Sequence, residues 1–416
     1  MESKIHRRTT CRMCGSSNLT LVYPLAPSPI GDAYVTSDQL RISQELYPID
    51  MFLCLDCGLA QLLDIISPDV LYSDYIYTTS SSSEMQEHFP KYAKKVVENI
   101  RPSPNALVVD IGSNDGTLLQ EFKKYGLRVI GVEPATEIAR IATEKGVKTF
   151  AGFFTPDLAF QIKQEYGPAG IITANNVFAN VDDLFTLTEG IRSLMAPDGV
   201  FVFESFYLAD VIENKVFDFI YHEHLSAFSV APVQRFFQHR GMQLIDVQRI
   251  PTKGGSLRYT IQLAGGPRKI SSSVASMLQF EESFGLYRPE TFKAFLAEID
   301  SLKTSTVACL KKVKSEGKMV AGYGASITGT TLIYHFGIGE YLDFLVDDNP
   351  AKQGRFSPGQ HIPVYDSRVL YDRKPDYVII LAWRYAEQIL RKHKDFLKQG
   401  GKFIIPVPDF RIIEQV

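Results

Sequence analysis

The chain passes twice from an apolar strand through a glycine turn into a helix, and this recurrence constrains its fold more than any other feature. The first passage runs from the β-branched strand Ala106–Ile111 through Gly112 and Gly116 into the helical pattern TLLQEFKKYG at 117–126. The second runs from Lys318–Gly322 through Gly324 into a helix over Ala325–His335. Behind the first come a strand at Arg128–Val132, a glycine-terminated helix over 135–146, and strands at Ile171–Ala174 and Gly199–Glu204. Behind the second come strands at Tyr341–Val346, Tyr377–Leu381 and Lys402–Ile405. Strands alternating with helices predict doubly wound parallel sheets, because joining parallel strands takes a crossover long enough to hold a helix. At 416 residues the chain exceeds what one core usually organises, so several domains are expected. Helical patterns over 275–302 and Leu302–Lys314 separate the two halves, and the second α/β domain is expected to begin between residues 245 and 300.

Four of the five cysteines form two CxxC pairs, Cys11/Cys14 and Cys54/Cys57. Thiolates are soft ligands, and two such knuckles complete a closed tetrahedral site, so a structural zinc ion is predicted. Gly15 and Gly58 follow the second cysteine of each pair, where a tight turn favours glycine. A strand-rich insertion is expected between Cys14 and Cys54, and Cys309 reads as a small buried hydrophobe in a helix. The formal net charge of −3 supplies no basic surplus, which argues against a nucleic-acid partner. No stretch reaches the roughly 18 apolar residues that a spanning helix needs, and MESKIHRRTTCRMCG has no signal-peptide core. No membrane partner and a soluble, cytoplasmic protein are therefore expected; the oligomeric state is left undetermined.

The loop Asp110-Ile111-Gly112-Ser113-Asn114-Asp115-Gly116 turns a strand sharply into a helix and brings backbone N–H groups to its tip. Glu133 closes the next strand about 20 residues on, where a carboxylate accepts hydrogen bonds from ribose hydroxyls. The GxxxG spacing, with an acid two residues before the first glycine, departs from the GxGxxG pyrophosphate fingerprint. It resembles the first motif of class I S-adenosylmethionine-dependent methyltransferases. That resemblance implies S-adenosylmethionine held by Asp110, Gly112, Ser113, Asn114, Gly116 and Glu133, with Asn175 and Asn176 near the cofactor and substrate. An NAD(P)-dependent nucleotide-sugar oxidoreductase and a zinc-ribbon interaction protein are the rival classes.

The segment Ile220-Tyr221-His222-Glu223-His224-Leu225-Ser226 sets four polar groups in a row among apolar neighbours. In an extended chain His222 and His224 would share one side; on a helix Tyr221 and His224 would share a face. Imidazole titrates near neutral pH, which makes general-base work the leading chemistry. Arg258 is a candidate for a substrate diphosphate, and Gly322-Tyr323-Gly324-Ala325 for an anion at a helix N-terminus. Core packing is the expected role of Trp383.

Two CxxC knuckles, VVDIGSNDG, IYHEHLS, GGSLR (254–258) and GYGAS (322–326), in that order, resemble the three-domain sugar C-methyltransferases. The resemblance covers essentially the whole chain. It implies a zinc-binding domain, a class I methyltransferase domain and a C-terminal Rossmann-like domain, here expected at 1–65, 66–250 and 251–416. It implies a nucleotide-diphosphate sugar as substrate, a dTDP-linked 4-keto deoxysugar methylated at carbon through an enolate; nitrogen or oxygen methylation is the alternative. It implies a Tyr-x-Glu-His set on Tyr221, Glu223 and His224, with His224 as base, joined by Tyr75, with Tyr77 and His222 beside the substrate. The family often carries histidine where this chain has Asn180 and Lys253, so these two are expected to touch the substrate with altered detail.

Overall fold

The computed structural model describes residues 4–72 and 79–415. The first glycine passage organises a seven-stranded sheet. In chain order its strands are Leu107–Ile111, Arg128–Glu133, Thr149–Ala151, Ala169–Thr173, Met195–Phe206, Met242–Ile250 and Ser256–Leu263. Their spatial order is 3-2-1-4-5-7-6, and the seventh runs antiparallel between the fifth and sixth. A dinucleotide-binding sheet has the order 3-2-1-4-5-6 instead. The inserted strand therefore already separates this domain from the oxidoreductase reading.

Five strands of the second sheet follow the order that the first lacks. Val320–Tyr323, Phe344–Val346, Val364–Tyr365, Tyr377–Ile380 and Lys402–Ile405 are parallel, and Arg411–Ile413 closes the edge antiparallel, in the order 3-2-1-4-5-6. In both sheets the strands buried on two faces are nearly continuous runs of Val, Ile, Leu and Phe, as a covered parallel sheet requires. The 27-residue helix Pro289–Ser315 connects the halves and packs Phe295 against Tyr23 of the N-terminal module, ring centroids 5.2 Å apart.

Several element bounds differ from the sequence reading for local reasons. Pro197-Asp198-Gly199 reads as a turn but is carried as a bulge within Met195–Phe206. Gly339–Tyr341 curls into a 3₁₀ turn, which shortens the strand expected from Tyr341 to Phe344–Val346. The hairpin Met242–Ile250/Ser256–Leu263 interleaves Gln, Asp and Arg with its apolar residues and was missed; it carries the first sheet across residue 250.

The N-terminal module is a small sheet of Leu19–Tyr23, Met51–Cys54 and Ala60–Leu62, with long loops between the first two strands. Its fourth strand comes from far along the chain: Ser226–Ala227 pairs antiparallel with Ala60–Leu62. The same module meets the C-terminal half. Val35 and Phe356 exchange backbone hydrogen bonds of 3.1 and 2.9 Å, and Gly31 packs onto Ile327 so closely that a Cβ would lie 2.7 Å from its side chain. No helix among the described residues is long and apolar enough to cross a membrane.

Candidate active site

Both glycine turns lie where strand order reverses, the place at which open α/β sheets bind ligands, and they face one cavity of about 1120 Å³. Asp110, Gly112, Ser113, Asn114, Glu133, Asn175 and Asn176 line it from the first sheet. Tyr323–Ile327, Asp347 and Asp348 line it from the second, and the Tyr221, Glu223 and His224 side of the loop lies between.

At the first turn, Gly112 holds φ +70, and a Cβ there would lie 2.3 Å from Val177 Cγ2. Only glycine takes that position without displacing the wall. The Glu133 carboxylate accepts N–H bonds from Asn114 and Ala135, both at 2.9 Å, and burial raises its pKa. Each of its oxygens keeps further acceptor capacity, which suits a vicinal diol such as that of a ribose. Asp110 sits below, accepting from Thr173 Oγ1 at 2.6 Å, and burial lifts its carboxyl to about 7. Asn114 Oδ1 accepts from the Thr79 amide at 2.8 Å, and Asn175 Oδ1 from the Glu204 amide at 3.0 Å. Asn176 takes a left-handed conformation, φ +57, on the cavity wall. Gly116 stands behind the loop, capping the helix Thr117–Lys123 against Val147 rather than lining the cavity.

The histidine segment is neither strand nor helix. The His224 amide donates to Tyr221 O at 2.8 Å, a tight turn that lays the Tyr221 ring 3.9 Å from the imidazole, centroid to centroid. Phe206 stacks on the imidazole at 4.6 Å. His224 Nδ1 lies 2.7 Å from Phe219 O, an acceptor only, so Nδ1 carries the proton and Nε2 is left with its lone pair. Burial drives the His224 pKa down to about 3. Burial, then Asp32, raise the Glu223 carboxyl to about 7, against the opposing pull of Lys253.

Besides Gly116, four expectations are corrected or fall outside the description. His222 turns away from the cavity: 2% exposed, its Nε2 lies 3.2 Å from Tyr47 O in the N-terminal module, and burial lowers it to about 4. Arg258 is committed to Glu204 across the sheet, Nε to Oε1 at 2.7 Å, and lies 4.2 Å over the Tyr92 ring. It is thus a sheet-core ion pair, with His88 Nε2 on the other Glu204 oxygen at 2.7 Å. Tyr75 and Tyr77 lie outside the described residues. Asn180 and Lys253 do line the cavity, and Lys253 adopts φ +56 with its amide on Glu84 at 3.0 Å. That conformation is costly for a side-chain-bearing residue and is typical of functional positions.

Sequence reading missed the residues that hold this loop. Trp383 Nε1 donates to Asp218 Oδ2 at 2.9 Å, and Arg384 adds bonds of 3.0 and 3.1 Å to the same carboxylate. Trp383 is buried, as expected, but it also anchors the turn Phe217–Phe219 that supplies the His224 acceptor.

The four knuckle sulfurs lie within 4.8 Å of one another, with Cys11–Cys57 and Cys14–Cys54 each at 3.6 Å. A tetrahedral zinc site with bonds of about 2.3 Å puts its sulfurs about 3.8 Å apart, so the set fits the ion. Gly15 and Gly58 close the knuckles with N–H bonds of 2.9 and 2.8 Å to Cys11 O and Cys54 O.

Three family models match in the order of these parts: a zinc binding domain at 11–72, a methyltransferase domain at 85–247 and a C-methyltransferase C-terminal domain at 251–408. The C-methyltransferase NovU of Streptomyces niveus is 33% identical over 97% of this chain and 96% of its own length. Ribosomal RNA small subunit methyltransferase A of Thermotoga maritima is 30% identical over 27% of this chain and 42% of its own. Among solved structures, the 1,6-didemethyltoxoflavin-N1-methyltransferase of Burkholderia thailandensis is similar over 50% of this chain and 95% of that one, with 18% identity and a TM-score of 0.36. The chain belongs to the C-methyltransferase family; it is an S-adenosylmethionine-dependent C-methyltransferase with a zinc-binding N-terminal domain.

Proposed function

We propose that this C-methyltransferase acts on the carbon beside the ketone of a nucleotide-linked sugar, a dTDP-4-keto deoxysugar being the expected class. The observation that carries the reading is the single cavity joining two switch points. Its volume exceeds the roughly 300–1,000 Å³ of a one-ligand pocket. At the second turn, Asp347 accepts from the Ala325 and Asn349 amides at 2.6 and 2.7 Å, repeating the Glu133 arrangement. The N-terminus of the helix Ile327–Phe336 lies beside it, a setting that favours a diphosphate.

In this reading Glu133 holds the ribose of S-adenosylmethionine, with Gly112, Ser113, Asn114, Asn175 and Asn176 around it and Asp110 supporting the loop. The cofactor, when bound, supplies an electrophilic methyl group on a sulfonium. Nε2 of His224 takes the proton from the carbon next to the ketone, and the C–H electrons move to the carbonyl oxygen. Tyr221 and Lys253 face that oxygen, and Tyr75 is proposed to join them; Asn180 contacts the sugar. The nucleophilic carbon would then take the methyl group as its bond to sulfur breaks, and the sulfur would keep that electron pair and leave as a neutral thioether. Phe219 O, rather than Glu223, orients the imidazole; Glu223 offsets the positive charge that His224 gains.

That division of labour predicts the pH profile. The buried imidazole, lowered to about 3, stays neutral throughout the assay range, so it contributes no limb near 6.5. Glu223, raised to about 7, is protonated below that pH and charged above it. Accordingly, kcat/KM should rise with pH through about 7, and Glu223→Gln should flatten the rise and lower the plateau. Steady-state rates across neutral pH check this; an unchanged limb in Glu223→Gln would remove Glu223 from the reading.

The function itself is tested by incubating the protein and S-adenosylmethionine with a panel of nucleotide keto sugars deuterated beside the ketone. A product heavier by one methylene, with loss of that deuterium, is expected. Transfer that retains all carbon-bound deuterium places the methyl on oxygen or nitrogen and overturns the proposal, as does no transfer to any sugar.

A further inference from the structure

Arg12 lies inside the first cysteine knuckle, between Cys11 and Cys14, yet none of its surface is exposed. A buried guanidinium is costly unless its donors are used; both terminal nitrogens of Arg12 are bonded, one of them to a carbonyl outside the module. Nη1 donates to the carbonyl of Leu225, the residue after His224. Nη2 donates to Leu62 O at 2.8 Å and lies 3.4 Å from Asp182 Oδ1. The Arg12 amide donates to Gln61 Oε1 at 3.1 Å, which ties the knuckle to the same strand. Leu62 N in turn donates to Leu225 O at 2.9 Å, so this one carbonyl accepts from both the knuckle and the strand next to it. Beyond it, Ser226–Ala227 continue as an edge of the module's sheet. At the other end of the segment, Asp218 is gripped by Trp383 and Arg384 of the C-terminal half.

From this arrangement we infer that Arg12 is a positioning residue for methyl transfer: it fixes the C-terminal end of the Tyr221–Leu225 turn and so sets the direction of His224 Nε2. The inference rests on the assignment of proton abstraction to that turn. Arginine is suited to the task because its planar fork reaches two carbonyls and a carboxylate at once, which a lysine ammonium on a flexible stem does not reproduce. A loosened turn leaves the imidazole present but misdirected, and misplacement by about 1 Å costs on the order of 10²-fold in rate.

The test compares Arg12→Lys, Arg12→Met and His224→Ala in the full-length, zinc-loaded protein. Both Arg12 variants are expected to keep their zinc content and S-adenosylmethionine affinity while kcat falls 10- to 100-fold, with KM changed less than threefold. The Leu62 amide should exchange with deuterium faster, while the Gly15 and Gly58 amides stay protected. A purely structural role would lower kcat only in proportion to the folded, zinc-bound fraction and would leave Leu62 exchange coupled to the knuckle amides; that result overturns the inference. Should neither Arg12 variant fold, Asp182→Asn, which withdraws the counter-charge and spares the knuckle, should lower kcat in the same direction, and an unchanged kcat there is equally fatal. Full turnover by His224→Ala would instead overturn the assignment of the turn, whereas an inactive His224→Ala beside fully active Arg12 variants would overturn only the positioning role.

Discussion

Replacing His224 with alanine should lower kcat by roughly 10²- to 10⁴-fold, the span that a positioned base contributes, while S-adenosylmethionine binds within about twofold of its normal affinity. The separation follows from where the groups sit. The imidazole is held by Phe219 O, Tyr221 and Phe206. The proposed cofactor contacts come from other strands, at Gly112–Asn114 and Glu133. Removing the ring leaves the Phe219 carbonyl without its partner inside a buried site, so some loss of stability is expected, about 1–3 kcal/mol. His224→Gln, which keeps a donor for that carbonyl but no base of useful strength, separates folding from chemistry. Calorimetric cofactor affinity together with single-turnover rates checks the prediction. Turnover preserved in both variants would exclude His224 as the proton acceptor.

Stripping the zinc, by a chelator or by Cys57→Ser, should do more than loosen the first 65 residues. Binding of structural zinc is worth about 10–16 kcal/mol in isolated zinc fingers, as much as the whole stability of an ordinary domain. Cys54 ends the strand Met51–Cys54, which pairs with Ala60–Leu62, which pairs with Ser226–Ala227 behind the His224 turn. The loss therefore propagates along three strands to the proposed reaction centre. A melting temperature lower by about 10 °C or more is expected, with activity lost before the central sheet unfolds. Scanning calorimetry paired with metal analysis decides the matter: an unchanged melting curve in protein freed of metal would discard a structural role for the ion.

What could be read from the sequence was what local chemistry decides. The knuckle spacing, the glycine turns and the carboxylate at the end of the second strand each declare themselves within a few residues, and the structure places each as a local unit. Among the members of the site reading that moved, His222 and Arg258 depend on partners remote in sequence. Arg258 faces Glu204 in register across antiparallel strands, and nothing in a single sequence gives that register. His222 and His224 differ only in which way a four-residue turn rolls, a choice set by Tyr47 on one side and Phe219 on the other. The contact between Asp218 and Trp383 escapes sequence reading for the same reason, the two being 165 positions apart. The miss on the last two strands of the first sheet has a different origin, since polar side chains on a hairpin that closes a sheet edge blur the alternation that marks a strand.

The strand Ser226–Ala227 belongs to one lobe by sequence and to another by hydrogen bonding, and this has a bearing on inheritance and engineering. Hybrids that exchange lobes between relatives, in order to alter which substrate is accepted, would splice together an edge and a neighbour that never matched. The unit that can be transplanted is the middle lobe together with both of its clasps, so drift in any of the three has to be answered in the others.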